Sequence, residues 1–196
     1  MTLPAVAAEL TGKGVMATKI PRIQEFLKTS LVTYHRLATV NVGARRATLN
    51  DMESPLTTFV TDWRGNLLIE TIKIFSKKEI DSGIIILRYP DPICGQLYNE
   101  WYVTEKEWTE KYVGNPGEEW GDYKAKKGVT REGLEITPEI IALLGGKDGR
   151  AEIRPSWGGT MWALEGGLLI ENGSAIAPRI LARYFNKEWK VSDRSN

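Results

Sequence analysis

The chain has 196 residues, 42% hydrophobic and 26% charged, an ordinary globular composition that excludes wholesale disorder. Its formal net charge of +1 lacks the basic excess that proteins living on duplex DNA or anionic membranes use to neutralise phosphates, so nucleic acid is disfavoured as a partner. Cys94 is the only cysteine, so no intrachain disulfide forms, and Met1–Ala8 lacks the basic start and long apolar stretch of an export signal. A reducing compartment, the cytoplasm, is therefore expected. The longest apolar run, Ile84–Leu87, is far below the roughly 18–20 residues that cross a bilayer, so no membrane partner is expected.

In chain order, residues 1–19 carry Gly12-Lys13-Gly14 and little periodicity, and read as an N-terminal arm. Pro21 suits a first helical turn, and Ile23, Phe26, Leu27 and Leu31 follow at helical spacing, predicting a helix over 21–31. Val32–Val42 alternates as a strand would, while the polar stretch 41–56, with Arg45 and Arg46, reads as a loop. Residues 57–75 predict a β-hairpin whose turn is Trp63-Arg64-Gly65-Asn66. Ile84–Tyr89 predicts another strand, broken by Pro90-Asp91-Pro92.

From residue 89 the chain repeats a strand, turn, strand, short-helix unit three times. The copies align on Thr104, Thr137 and Ala177, and four residues further each carries a large apolar side chain: Trp108, Ile141 and Leu181. Thr104 with Glu107 forms a capping-box sequence, and Thr137-Pro138 places a cap before a first-turn proline. The third copy keeps Pro178 but has Ala177 at the cap, which weakens that helix start. The expected fold class is therefore α+β, mainly antiparallel β hairpins with short helices and a threefold internal repeat. Its organisation is an arm over 1–19, a helix-plus-hairpin region over 20–88 and the repeats over 89–196, the last two forming one domain.

Gly121-Asp122-Tyr123, the turn at Gly128 and Thr137-Pro138-Glu139-Ile140-Ile141, with Trp101 to Tyr112 as a second partial match, carry a resemblance. The C-terminal half resembles small, mostly uncharacterised phage-encoded proteins that end in a glycine turn and a proline-led short helix. It departs where Gly145-Gly146 replaces their closing aromatic. The resemblance implies a viral origin, in host cytoplasm or virion, and no catalytic residues.

Chemistry is sparse. His35, the only histidine, sits inside a strand reading, and Cys94 inside a turn; a lone strand histidine is more often structural than part of a Cys–His pair. One Cys and one His exclude the usual zinc sets. The carboxylates from Glu105 to Glu119 read as a solvated face. Gly145-Gly146-Lys147-Asp148-Gly149-Arg150 offers amides and cations to an anion, yet it follows a helix, and a glycine helix stop is the simpler reading. No catalytic residue, metal site or cofactor is read.

The cluster Arg154 to Trp162, with Trp157 and Trp162 around a Pro-Gly-Gly loop, is the best binding surface in the sequence. Two functions from different classes follow. One is a non-enzymatic protein-interaction or assembly protein of phage origin, using its Trp-rich loops, with Arg154, Trp157 and Trp162, and the N-terminal arm to grip a protein partner or another copy. The alternative is a small-ligand or nucleotide-binding protein, possibly an enzyme, with a pocket between repeats lined by Tyr123, Lys126, Arg154 and Trp162.

Overall fold

In the computed structural model, which describes residues 14–36, 41–72, 75–156, 159–185 and 189–191, the chain is α+β, with short helices between mainly antiparallel strands. In order the elements are α1 (Pro21–Thr29), β1 (Val32–Arg36), β2 (Asn41–Arg46), β3 (Leu56–Thr61), β4 (Leu67–Ile72), α2 (Lys77–Asp81), β5 (Ile84–Arg88) and β6 (Glu100–Thr104). There follow α3 (Glu105–Lys111), β7 (Gly121–Lys124), β8 (Thr130–Glu135), α4 (Pro138–Leu143), β9 (Arg150–Ile153) and β10 (Met161–Leu164). The chain closes with β11 (Leu168–Ile170), β12 (Ala175–Ile176), α5 (Pro178–Ile180) and β13 (Trp189–Val191).

Two compact units emerge, each discontinuous in sequence. Unit 1 is built from Leu37–Phe59 and Ile69–Val129; unit 2 from Val6–Arg36, Val60–Leu68 and Thr130–Asn196. Unit 1 holds a sheet of order β6-β5-β2-β7. An unbroken apolar strand needs cover on both faces, and β5 has it. Ile85 and Leu87 pack with Val42, Ala44 and the buried Trp108 of α3. On the other face, Ile84 and Ile86 join Leu56 and Phe75.

Unit 2 holds the sheet β12-β11-β8-β1-β13 and the β9–β10 pair. Its core gathers Leu134, Leu169 and Ile153 from strands, Ile136 just past β8, and Ile140, Ile141 and Leu144 from α4 and its end. Helix α1 contributes the fully buried Ile23, backed by Phe26 and Leu27 at the spacing the sequence predicted. Most of the expected arm lies outside the described residues. Its end is tied down, because Val15 donates to Glu152 O at 3.2 Å and its own carbonyl accepts from Arg154 N at 2.8 Å. Gly14 is obligatory there: an added Cβ would lie 2.8 Å from the Ile153 carbonyl carbon.

Two sequence expectations are corrected. Val32–Val42 is not one strand, since β1 and β2 belong to different sheets and residues 37–40 lie outside the described residues. The stretch 41–56 is not simply a loop, since β2 pairs on both sides, with β5 and β7. Only Val42 and Ala44 of β2 look apolar, so its alternation is faint. Arg45, facing the other way, is tolerated because Asp51 neutralises it at 2.6 Å.

The three cap-and-helix endings form as read. Thr104 N donates to Glu107 Oε2 at 2.8 Å while Glu107 N donates back to Thr104 Oγ1 at 3.2 Å. Thr137 Oγ1 accepts from Ile140 N at 3.3 Å. Ala177 has no side-chain cap, and α5 runs only 3 residues before passing into a π-helical turn over Leu181–Phe185. The strands before these helices pair differently. β5–β6 and β11–β12 are hairpins, whereas β7 pairs with β2 and β8 with β1 and β11.

Candidate functional site

Two tight turns of unit 2 build the site. In the first, at the tip of the β3–β4 hairpin, the Asp62 carboxylate accepts from Arg64 N and Asn66 N at 2.8 Å each and from Asn66 Nδ2 at 2.9 Å. Slight burial raises the Asp62 pKa, but those Asn66 and Arg64 hydrogen bonds and the Arg64 charge outweigh it and hold the carboxyl below its usual range. The second turn follows α4, which ends in a paired glycine stop: Gly146 N donates to Ile141 O at 2.9 Å and Gly145 N to Ala142 O at 3.0 Å. The helix-stop reading of this segment is thus the observed one.

Immediately after the stop, Lys147 and Arg150 exchange both backbone hydrogen bonds, at 3.0 and 3.1 Å. Between them Asp148 and Gly149 both have positive φ, 53° and 72°. That is the type I′ hairpin turn an Asp-Gly pair favours, because its twist matches the flanking strands.

These turns bring arginines onto one ring. The Cζ of Arg64 stands 4.2 Å from the Trp63 ring centroid and that of Arg150 stands 4.0 Å away, both within cation–π range. Beside the ring is an open cleft of about 360 Å³, whose lining includes Trp63, Arg64, Leu164, Glu165, Pro178 and Arg179. Leu164 and Ala177 are buried and give it an apolar floor. Among the described residues, none of the Arg64, Arg150 and Arg179 guanidiniums makes a hydrogen bond or an ion pair.

Arg45 and Arg46 of unit 1 are held differently. Arg45 donates to both carboxylate oxygens of Asp51, at 2.8 and 2.6 Å, and Asp51 is 4% exposed. Burial pushes the Asp51 carboxyl up, but the hydrogen bonds from Arg45 and Thr48 and the Arg45 charge win and hold it below its ordinary value. Arg46 is bound by Glu105, by Asn115 at 2.8 Å and by the Pro116 carbonyl at 3.0 Å. Arg88 lies between two rings, 4.1 Å from Tyr98 and 4.0 Å from Trp120, with its stem filling the space over Gly43.

Of the residues singled out in the sequence, Tyr123 is half-buried on β7, edge-on to Trp108 at 5.2 Å. Lys126 donates through Nζ to the Thr109 carbonyl at 2.6 Å. Both belong to unit 1, whereas Arg154, exposed after β9, and Trp162, half-buried on β10, belong to unit 2. Trp157 lies outside the described residues. His35 is exposed on β1 and Cys94 is exposed in its turn, one in each unit. The sequence reading named Trp63 and Arg64 in one turn and Arg150 in the other, the last among cations offered to an anion, but not that they meet on one ring, and it did not single out Arg179 of α5. The only signal was an arginine beside a ring or at the end of each turn.

No group of three or more His, Cys, Asp or Glu residues is placed to hold a metal ion among the described residues. No helix among them is long and apolar enough to cross a membrane. Compared with known proteins, the chain matches no protein-family profile, no curated protein and no solved structure.

Proposed function

We propose that the chain is a non-enzymatic interaction or assembly protein of phage origin, and that the Trp63 surface of unit 2 is its grip. The observation that carries this is Trp63 with Arg64 and Arg150 stacked on its ring. Trp and Arg are the residue types that concentrate binding energy at interfaces. Stacking orders the long arginine side chains in advance, so less freedom is lost on binding. Arg154 and Trp162 belong to the same unit. The phage origin rests on the resemblance of the Gly121 to Ile141 segment.

Light scattering after size exclusion tests the assembly reading. The full chain should run at a multiple of its 22.0 kDa mass, and Trp63→Ala should return it to one chain without loss of circular dichroism. A single chain at every concentration, unchanged by the substitution, counts against self-assembly. The small-ligand reading is favoured by the cleft itself, whose volume of about 360 Å³ suits a small molecule. A saturable rise in melting temperature with a nucleotide or metabolite panel, in a chain that stays single, would favour it.

A further inference from the structure

We infer that the cleft beside Trp63 takes the phosphate group of a small ligand, held by Arg64, Arg150 and Arg179; this deepens the reading that the Trp63 surface is the binding face. The protein supplies its own yardstick for how arginine is satisfied. Asp51 uses both oxygens on the single guanidinium of Arg45. That carboxylate meets one arginine fork, with Thr48 as its other donor, whereas Arg64 and Arg179 line this cleft and Arg150 stacks on the Trp63 ring beside it, all three guanidiniums without an acceptor among the described residues. A phosphate group offers more oxygens around a tetrahedral centre and meets several forks at once.

The nearby carboxylates do not fill that role. Asp62 is spent on its own turn, on Arg64 N and Asn66. Glu165 lies against Gly149, close enough that a Cβ there would be 3.2 Å from its Oε2. In that place Glu165 is a rim acceptor for a ligand hydroxyl. Leu164, Ala177 and Pro178 supply an apolar wall for the ligand's carbon skeleton. The volume of about 360 Å³ is on the scale of a small molecule. Pre-stacking on Trp63 holds two of the three forks in place before the ligand arrives.

The test is isothermal titration of the full chain with inorganic pyrophosphate at fixed ionic strength. Saturable binding of one pyrophosphate per chain is expected. Arg150→Gln and Arg179→Gln should each weaken it about 10-fold or more, the scale of a lost hydrogen bond between charged groups. Arg150→Lys, which keeps the charge but loses the fork, should weaken it too. Lys127→Gln, an equal charge loss at an exposed position of unit 1, should leave binding unchanged. Absence of saturable heat overturns the inference, as does equal weakening by Lys127→Gln, which would mean a response to net charge alone. Binding confined to single-stranded oligonucleotides, steep in salt, overturns it as well. If Trp63→Ala dissociates an assembly in light scattering while pyrophosphate never binds, the phosphate site falls and the interaction reading stands.

Discussion

Unit 1 and unit 2 both carry arginines against tryptophan rings, and Arg45 of unit 1 is used in the opposite way to Arg64 and Arg150 of unit 2. In unit 1, Arg45 stands 5.1 Å from the Trp120 centroid but gives its donors to the buried Asp51, and Arg46 is tied to Glu105, Asn115 and Pro116. Those arginines are framework, because their guanidiniums donate to acceptors of the same unit. In unit 2, Arg64 and Arg150 are ordered by the Trp63 ring alone, and their in-plane donors reach no acceptor among the described residues. Stacking fixes a guanidinium through its faces and leaves its edges for something else. The contrast separates an arginine that holds a fold from one that is presented.

The sharpest way to break this comparison is to strand a framework arginine. Asp51→Asn should destabilise the chain by about 3–5 kcal/mol in urea unfolding, since it leaves Arg45 part-buried without its counter-charge. Replacing both partners, Arg45→Met with Asp51→Leu, should recover most of that loss. The same pair sets an acid limb. Because the native Asp51 carboxyl lies below its unfolded value, its stabilisation is present above about pH 4 and disappears as pH falls through the native value. Asp51→Asn should therefore flatten stability against pH in that range.

Gly146→Ala attacks the other side. Its Cβ would lie 2.1 Å from the Arg150 carbonyl oxygen, so the turn must shift, at a cost of about 1–3 kcal/mol. Melting temperature reads the loss, and pyrophosphate binding should fail with it. Thr104→Ala should cost unit 1 about 1 kcal/mol by removing one half of a capping box, read as a lower urea midpoint. The smallest effect on stability is expected at the presented arginines. Arg150→Gln should change unfolding free energy by no more than about 1 kcal/mol, the worth of an exposed cation–π contact, while weakening pyrophosphate binding about 10-fold or more. A large stability loss there would erase the distinction between the units.

Local signals carried well into the structure. Thr104-x-x-Glu107 and Thr137-Pro138 became helix starts, Gly145-Gly146 a helix stop, and residues 62–66 a hairpin turn, because each depends on hydrogen bonds closed within a few residues. The strand β2 was missed for the converse reason. Its glycine and two arginines make sense only with Arg88 lying over Gly43, Asp51 against Arg45, and β5 and β7 on either side. The binding candidates divided in the same manner. Tyr123 and Lys126 are engaged inside unit 1 by Trp108 and the Thr109 carbonyl. Arg64 and Arg150, 86 positions apart in the sequence, meet on one ring.

By itself the sequence determined the α+β class, the caps, the turns and the helix stop, since propensity and short-range hydrogen bonding act over a few neighbouring residues. It also determined a strand at Ile84–Tyr89, while its inner place in the sheet came from the structure. Only the tertiary structure decided that the two units interleave along the chain, and which arginines find carboxylates and which find only a ring. Those outcomes depend on which distant turns the packing brings together, and no local pattern encodes that.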